Sequence, residues 1–422
     1  MPESTALSWD LKTLTITTIK GNVVDISFLM EEINIFEDIH NNTISADVTI
    51  ADAQNIINKL PITGHETLQL SFKSAGQQNY VSLNLQIYKI DSRQLEKERM
   101  QVFIMYCIDA TAFTNAQFTV SKAYTGKTIS DIATDIQTNF LHSSFYQIEP
   151  TKNLQHIIMG SWHPFKCLNF LASRANSVAY TGSNFVYFQS IDGFNFVSLE
   201  KLCDVPIYQN YIYQVANVRK DNSIGYKPRT LDTDSIAIQA YKFNTNFDTL
   251  QSCSHGMYSN HAVYYDLQKK TFTENTWDYP SSYNDYKHVE SNNVSGGLSY
   301  LWTPVSDFNE GPNGRHLLYP VGLPGQENFS QQWLQPRISQ MEQIQAVSLF
   351  VTVPGDSMRR AGHLVSITLP SPEPPINDQQ IPDAYYTGNY ICSAVRHILQ
   401  KTNYVSVLEL VKDSVATAYG TI

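Results

Sequence analysis

The chain carries little charge. Lys, Arg, Asp and Glu make up 16% of its 422 residues, against about 25% in an ordinary soluble domain. It has no basic run, and its formal net charge is −10. Specific binding to nucleic acid needs Lys and Arg to neutralise phosphate, so that class is disfavoured. No apolar run approaches the ~18 residues of a membrane helix, so stable membrane insertion is not expected. Met1-Pro2-Glu3-Ser4-Thr5 has neither the basic start nor the apolar core of a secretory signal. The five cysteines, at 107, 167, 203, 253 and 392, include no C-x-x-C pair. Reduced thiols are therefore expected rather than a disulfide frame. The Asn-x-Ser/Thr sequons at Asn41, Asn293 and Asn328 then carry little weight. G-x-S-x-G, H-E-x-x-H and the dinucleotide fingerprint are all missing.

What the chain has is aromatic and polar: 25 Tyr and 20 Phe among many Asn, Gln, Ser and Thr. A polar, weakly charged surface suits a protein pressed against neighbours, because interface cores lose charge and gain aromatics. The length allows two to four domains with their own cores.

Alternating apolar residues at 12–50, 64–72, 81–90 and 100–109 predict strands, so the first block is nearly all β. A short helix is expected from Ala51 to Leu60, stopped by Pro61. Residues 126–140 and 163–175 show helical spacing, the second with Pro164 in its first turn. A hairpin is expected around Asp192-Gly193. Strands are expected at 235–243 and 261–267, and a helix from Pro336 onward. The proline-rich stretch 370–382 can only be an exposed loop. The last block, 345–414, is β again and closes on a hairpin bent at Gln400-Lys401-Thr402-Asn403. Such a strand points Arg396 and His397 to opposite faces.

The two β blocks resemble each other in order. V-T-I-A-D at 48–52 matches V-T-V-P-G-D at 351–356, and Gly64-His65 matches Gly362-His363. Each then runs through a long hairpin, to Asp109 and to Asp413. After Gly-His the apolar positions are Leu68, Leu70 and Phe72 in one copy and Val365, Ile367 and Leu369 in the other. They differ by one in parity, so a bulge or an offset is needed. Two similar modules per chain would let a closed trimer present six in a ring.

Several residue groups invite a chemical reading. Gly126-Lys127-Thr128 lacks the glycine of a phosphate loop five positions earlier, where Ser121 stands, and is read as a helix start. Cys253, His255 and His261 are close in sequence but fit no usual zinc spacing. His363 and His397 are read as packed or surface histidines on strands. Asp278, Asp285 and Glu290 lie among Trp277, Tyr279 and Tyr283, the residue types with which glycosidases hold sugars. The bland reading is an aromatic, loop-rich interface. Cys392, Arg396, His397, Lys412 and Asp413 are read as hairpin residues. No catalytic, cofactor-binding or metal residue is expected, and no enzyme.

Several segments in order resemble the baseplate central hub protein of contractile-tailed bacteriophages. They are residues 44–72, with Leu-Pro-Ile-x-Gly at 60–64; G-K-T-I-S-D-I-A and W-H-P-F-K-C-L-N-F-L-A-S-R-A; G-M-Y-S-N-H-A-V-Y-Y-D-L at 256–267; and A-V-R-H with L-E-L-V-K-D-S near the end. The resemblance spans about residues 25 to 415. It implies a mainly β fold with a smaller α+β insertion and two tail-tube-like β-barrel domains per chain. The expected division is 1–112 for the first barrel domain, 113–205 for the inserted domain, 206–254 and 330–422 for the second barrel domain, and 255–329 for a second part of the inserted, peripheral domain. It also implies a homotrimeric, pseudo-six-fold ring joining the six-fold tail tube to the three-fold central spike, in the virion baseplate and assembled in the host cytoplasm. Tail tube or tube-initiator protein, central spike protein, baseplate wedge proteins and tape-measure protein are the implied partners. DNA would pass through the channel without specific binding. No glycine-rich β-helix or lysozyme-like extension follows Lys412-Asp413-Ser414, so a separate spike chain is expected. Two other readings stand beside it: a carbohydrate-binding or glycan-cleaving tail protein, and a secretion-system spike-base relative.

Overall fold

The computed structural model describes residues 5–53, 62–97, 100–213, 231–245, 248–267, 269–293, 315–321, 329–373 and 381–417. The helix expected from Ala51 does not start there, since Ala51 and Asp52 pair with Val102 and Gln101 as the end of a strand; the rest of that expected helix, from residue 54, and most of the proline-rich loop lie outside the described residues. Seven strands open the chain: β1 (Trp9–Thr17), β2 (Val23–Asp25), β3 (Met30–Asp38), β4 (Ser45–Asp52), β5 (Thr67–Ser74), β6 (Val81–Lys97) and β7 (Met100–Asp109). An α+β unit follows, with β8 (Val120–Lys127), β9 (Phe145–Ile148), β10 (Gln155–Trp162), β11 (Phe185–Ser190) and β12 (Gly193–Ser198). Next come β13 (Ile207–Tyr213), β14 (Ala237–Ile238) and β15 (Ala240–Thr245). A peripheral sheet is made from β16 (Ser259–Asp266), β17 (Thr271–Asp278) and β19 (Arg315–Val321), with the short β18 (Asn292–Asn293) before β19. The chain closes on β20 (Val347–Pro354), β21 (Leu364–Thr368), β22 (Gly388–Gln400), β23 (Tyr404–Lys412) and β24 (Ser414–Val415). The fold is mainly β, as the alternation implied.

The two β blocks share one strand order. The first reads β3-β4-β7-β6-β5-β1, the second β15-β20-β23-β22-β21-β13. Register aligns them residue by residue. Val48 faces Met105, which faces Ile90; Val351 faces Leu408, which faces Val395. A β-bulge follows Ile87 in β6 and Cys392 in β22, at the same place in the two copies. The parity problem resolves the same way. Leu68 pairs Leu85 and Val365 pairs Tyr390, so one residue is absorbed between Gly-His and the strand. Gly64 and Gly362 both have the left-handed φ such a turn needs, +92° and +89°. One position departs: β1 runs antiparallel to β5, while β13 runs parallel to β21.

The modules close differently. In the second, β14 pairs β13 and β15 pairs β20, and the Gln239 N–H between them donates to Thr352 O at 2.8 Å. The backbone ladder returns to its start. In the first, no described strand joins β2 to β3. The tip of the β22–β23 hairpin completes the circuit. Gln400 pairs Glu32 of β3, Trp9 Nε1 donates to Gln400 O at 2.6 Å, and Tyr404 N donates to Leu7 O at 2.8 Å. Leu399 and Tyr404 are therefore fully buried in the first module's core, with the Tyr404 ring edge-on to Phe72. Gly355 makes room for that ring, since a Cβ there would lie 2.1 Å from it.

The bulge changes one sequence expectation. Strict alternation puts Tyr390 and Cys392 on the face of Arg396. The extra residue, Ser393, returns them to the core side with Val395, His397 and Leu399, while Ala394, Arg396 and Ile398 face outward.

The α+β unit packs the helices Ile129–Asn139 and Pro164–Ala172 on the β11-β12-β9 sheet around Ile132, Ile136, Leu168 and Phe196. Thr128 caps the first helix, accepting from Asp131 N, and Pro164 stands in the first turn of the second. The later helix runs from Ser330 to Gln343, longer than the expected start at Pro336. Pro336 has no N–H for the Gln332 carbonyl one turn back. That carbonyl instead accepts from Ser183 Oγ at 3.4 Å. Arg337 on this helix donates to the carbonyls of Ala172, Ser183 and Phe185, binding it to the α+β unit.

Candidate functional site

β22 is the strand both modules use. β23 lies on one side of it. On the other lie β21, at residues 388–391 of β22, and then β3, at 394–400. The result is one uninterrupted sheet from β15 through β22 and β3 to β6.

Its inner side at the seam is a buried polar cluster. Glu37, His397, Arg359 and Arg360 are at most 3% exposed. Arg359 Nε donates to Tyr211 Oη at 2.9 Å, and its Nη1 to Pro354 O at 3.2 Å. Arg360 bonds the carbonyls of Ser357 and Arg359 and pairs with Asp192 of the α+β unit at 2.9 Å. Glu37 Oε2 accepts from Ala361 N, and its Oε1 lies 3.5 Å from His397 Nε2. Burial outweighs that carboxylate and holds the imidazole below its ordinary pKa, hence neutral near pH 7. His397 Nδ1 lies 2.8 Å from Tyr404 Oη and 3.3 Å from Ser406 Oγ, while Nε2 faces Glu37. The His363 ring lies tilted against Tyr208, centroids 4.5 Å apart, and the Tyr208 hydroxyl donates to Asp356. Burial also lowers the His363 pKa. The cluster ties three parts of the chain together at their junction, with Glu37 Oε1, Arg360 Nε and His397 Nε2 buried and not hydrogen-bonded.

The outer side of the same sheet is half-exposed. Arg396 points out, donates to Asn34 Oδ1 at 3.0 Å and covers the Phe36 ring at 5.6 Å. Between β15 and β6 this face carries Glu32, Asp38, Asp47, Asp91 and Glu409 against Lys89, Lys242 and Arg396. Burial raises the Asp47 pKa, an effect Arg396 partly offsets.

The end of the chain is held by a strap. His288 Nδ1 is 2.8 Å from Asp413 Oδ2, and its Nε2 is 2.7 Å from Tyr283 O. Its ring stacks on Tyr283 with centroids 3.8 Å apart. Both ring nitrogens face acceptors, so both carry protons when both bonds form. Burial alone would lower the His288 pKa; Asp413 and the Tyr283 carbonyl overcome it and raise it. Val289 N and Glu290 N continue the strap, donating to Asp413 and Ser414. Lys412 is fully buried. Its Nζ donates to Tyr385 O at 2.6 Å and lies over the Tyr390 ring, and burial pushes its pKa down to about 8.

The residues singled out in the sequence do not converge on one point. Arg396 and His397 lie on opposite faces, as expected. Lys127 ends β8 and Thr128 caps the next helix, so neither cradles an anion. His255 pairs with Glu342, while His261 faces Glu274 at 3.7 Å. Among the described residues no three His, Cys, Asp or Glu side chains are grouped to hold a metal. Tyr279 and Tyr283 are core residues packed on each other and on Tyr258. Asp278 caps a helix, and Glu290 accepts from Asn389 N at 2.7 Å. The arginine pair at 359–360 and Glu37 were missed. The available signal was two adjacent cations between strands of a charge-poor chain.

No protein-family model matches this chain, and no curated protein matches it by sequence. Solved structures do. A tail protein from Neisseria meningitidis superposes with a TM-score of 0.57 at 12% identity, covering 98% of this chain and 100% of that one. The 43 kDa tail protein of prophage MuSo2 from Shewanella oneidensis gives 0.54 at 10% identity, over 95% of this chain and 98% of that one. The chain has the fold of these two tail proteins over nearly its whole length.

Proposed function

We propose that this chain is a structural component of a phage tail baseplate, the hub that joins tail tube to central spike. One observation carries the reading. Two modules of the same strand order and register lie side by side in one sheet, joined by β22 and β3. A unit that already repeats itself once gives six modules from three copies, which reconciles a six-fold tube with a three-fold spike. The division into two barrel domains with an inserted α+β domain and a peripheral part at 255–329 belongs to this proposal. So do the partners: tube or tube-initiator, spike, wedge and tape-measure proteins.

The outer face of the shared sheet is the candidate channel wall. Its charge is mostly carboxylate, and such a wall repels phosphate and lets DNA pass without trapping it. The reading is of a non-enzymatic, mechanical part. The buried polar cluster serves it by fixing the modules and the α+β unit against one another.

The test is native mass by light scattering, for the chain alone and with a spike chain. A trimer in either case is the expected result. A monomer under every condition removes the ring. Glycan-array binding by residues 277–290 would then favour a carbohydrate-binding tail protein.

A further inference from the structure

A small cavity lies where four parts of the chain meet. It is bordered by Glu200 of the α+β unit, Lys287 and His288 of the strap, Gln340 of the Ser330–Gln343 helix, and Asp413 at the end of the second module. It leaves about 10 Å³ of room for the centre of a water molecule. That is about the least that holds one. Gln340 follows Arg337 by three residues, so both side chains leave the same face of the helix. Arg337 reaches the α+β unit directly, through three carbonyls.

Gln340 makes no such bond. It is 7% exposed, and neither its Nε2 nor its Oε1 has a hydrogen-bond partner among the described residues. An amide buried in that way costs free energy, because it has given up its hydration without replacement. Its polar neighbours are engaged elsewhere. Glu200 Oε1 accepts from Lys287 N at 3.0 Å, and Oε2 from Gly182 N at 2.6 Å. Gln343 Nε2 donates to Tyr279 Oη at 2.7 Å. Both Asp413 oxygens hold the strap, through His288 and Val289. A Cβ on Gly182 would lie 2.3 Å from Glu200 Oε2 and 2.9 Å from Gln340 Oε1, so those two oxygens face one point, acceptor beside acceptor. Burial raises the Glu200 pKa against the Lys287 and Gly182 donors. The carboxylate still has lone pairs for another donor.

We propose that this cavity is a binding site for one internal water molecule, held by the Gln340 amide and the Glu200 carboxylate. The water accepts from Gln340 Nε2 and donates to Glu200, which gives each group a partner that neither gives the other. Asp413 borders the same space and offers a further acceptor. The helix is then tied to the α+β unit twice, directly at Arg337 and through water at Gln340. The site does not depend on how copies of the chain assemble.

The experiment is a crystal structure of the full chain at a resolution that orders internal water, for the wild type and for Gln340→Met. Denaturant midpoints are measured on both. The expected result is a density peak within hydrogen-bond distance of Gln340 and Glu200 in the wild type. The peak should be lost in Gln340→Met, and the midpoint should fall. A wild-type cavity without that peak, or a Gln340 amide bonded directly to Glu200, overturns the proposal. A Gln340→Met midpoint equal to the wild type's or above it overturns it too, since removing an amide that bonds nothing costs nothing.

Discussion

The two β modules differ chiefly in how each is closed. The second closes by its own backbone, through the stretch that pairs with β13 at one end and β20 at the other. The first is closed by a hairpin tip 391 residues away in sequence from the Trp9 it touches. The difference teaches that strand order alone does not make a module independent. Leu399 and Tyr404 belong to the second module's longest hairpin yet are core residues of the first.

Tyr404→Ala should break that comparison most sharply. Removing a fully buried ring from a packed core costs ~3–5 kcal/mol. Denaturant unfolding should show a single transition shifted by that amount, since the ring supports the first module from the second. A loss under ~1 kcal/mol would mean the first module closes without it. Lys412→Met comes next and has the opposite sign. Lys412 takes the place of Asp109 in the other module, and its pKa falls to about 8 in the fold from an ordinary 10.5. The unfolded chain therefore holds more protons between those values, and wild-type stability should rise as pH climbs from about 8 toward 10.5. Lys412→Met should lose that slope and gain ~1–3 kcal/mol at pH 7. An unchanged slope would show that the amine is solvated.

The strap on the second module has no described counterpart on the first. His288 has a raised pKa in the fold, so its contribution is complete below its ordinary 6.5 and fades as pH rises through the folded value. His288→Gln should cost more stability at pH 6 than at pH 9. Unfolding midpoints at the two pH values read it; equal losses at both would sink the charged-strap account. Arg396→Ala should matter least, by less than ~1 kcal/mol, because the side chain is exposed. Calorimetry on Arg396→Ala reads it. A loss of several kcal/mol at Arg396 would make it part of the core.

Much of this was legible in the sequence because strands write their period plainly. The last hairpin, the order of the repeat from Val48 and from Val351, and the capped helix after Thr128 all follow from local rules; the end of the repeat was one residue off, since Lys412 and not Asp413 takes the place of Asp109. The bulge at Ser393 was not legible, because an extra residue leaves no compositional mark and is fixed by the partner strand. The helix starting at Ser330 was hidden by Pro336, whose lost hydrogen bond is compensated by Ser183, far away in sequence. The seam itself needed β3 and β22, more than 350 residues apart, to be seen together. Glu37 and the arginine pair acquire meaning only there.

The borrowed hairpin also sets an order of events during synthesis. The first module leaves the ribosome with its strands complete at Asp109 but without Leu399 and Tyr404. At roughly 5–20 residues per second those two arrive about 15–60 s later. Until then the circuit from β3 to β1 stays open and its apolar lining is unsealed. A chain cut short before β22 would keep that lining exposed, marked for aggregation or proteolysis. The hairpin thus makes completion of the polypeptide a condition for finishing its first β module.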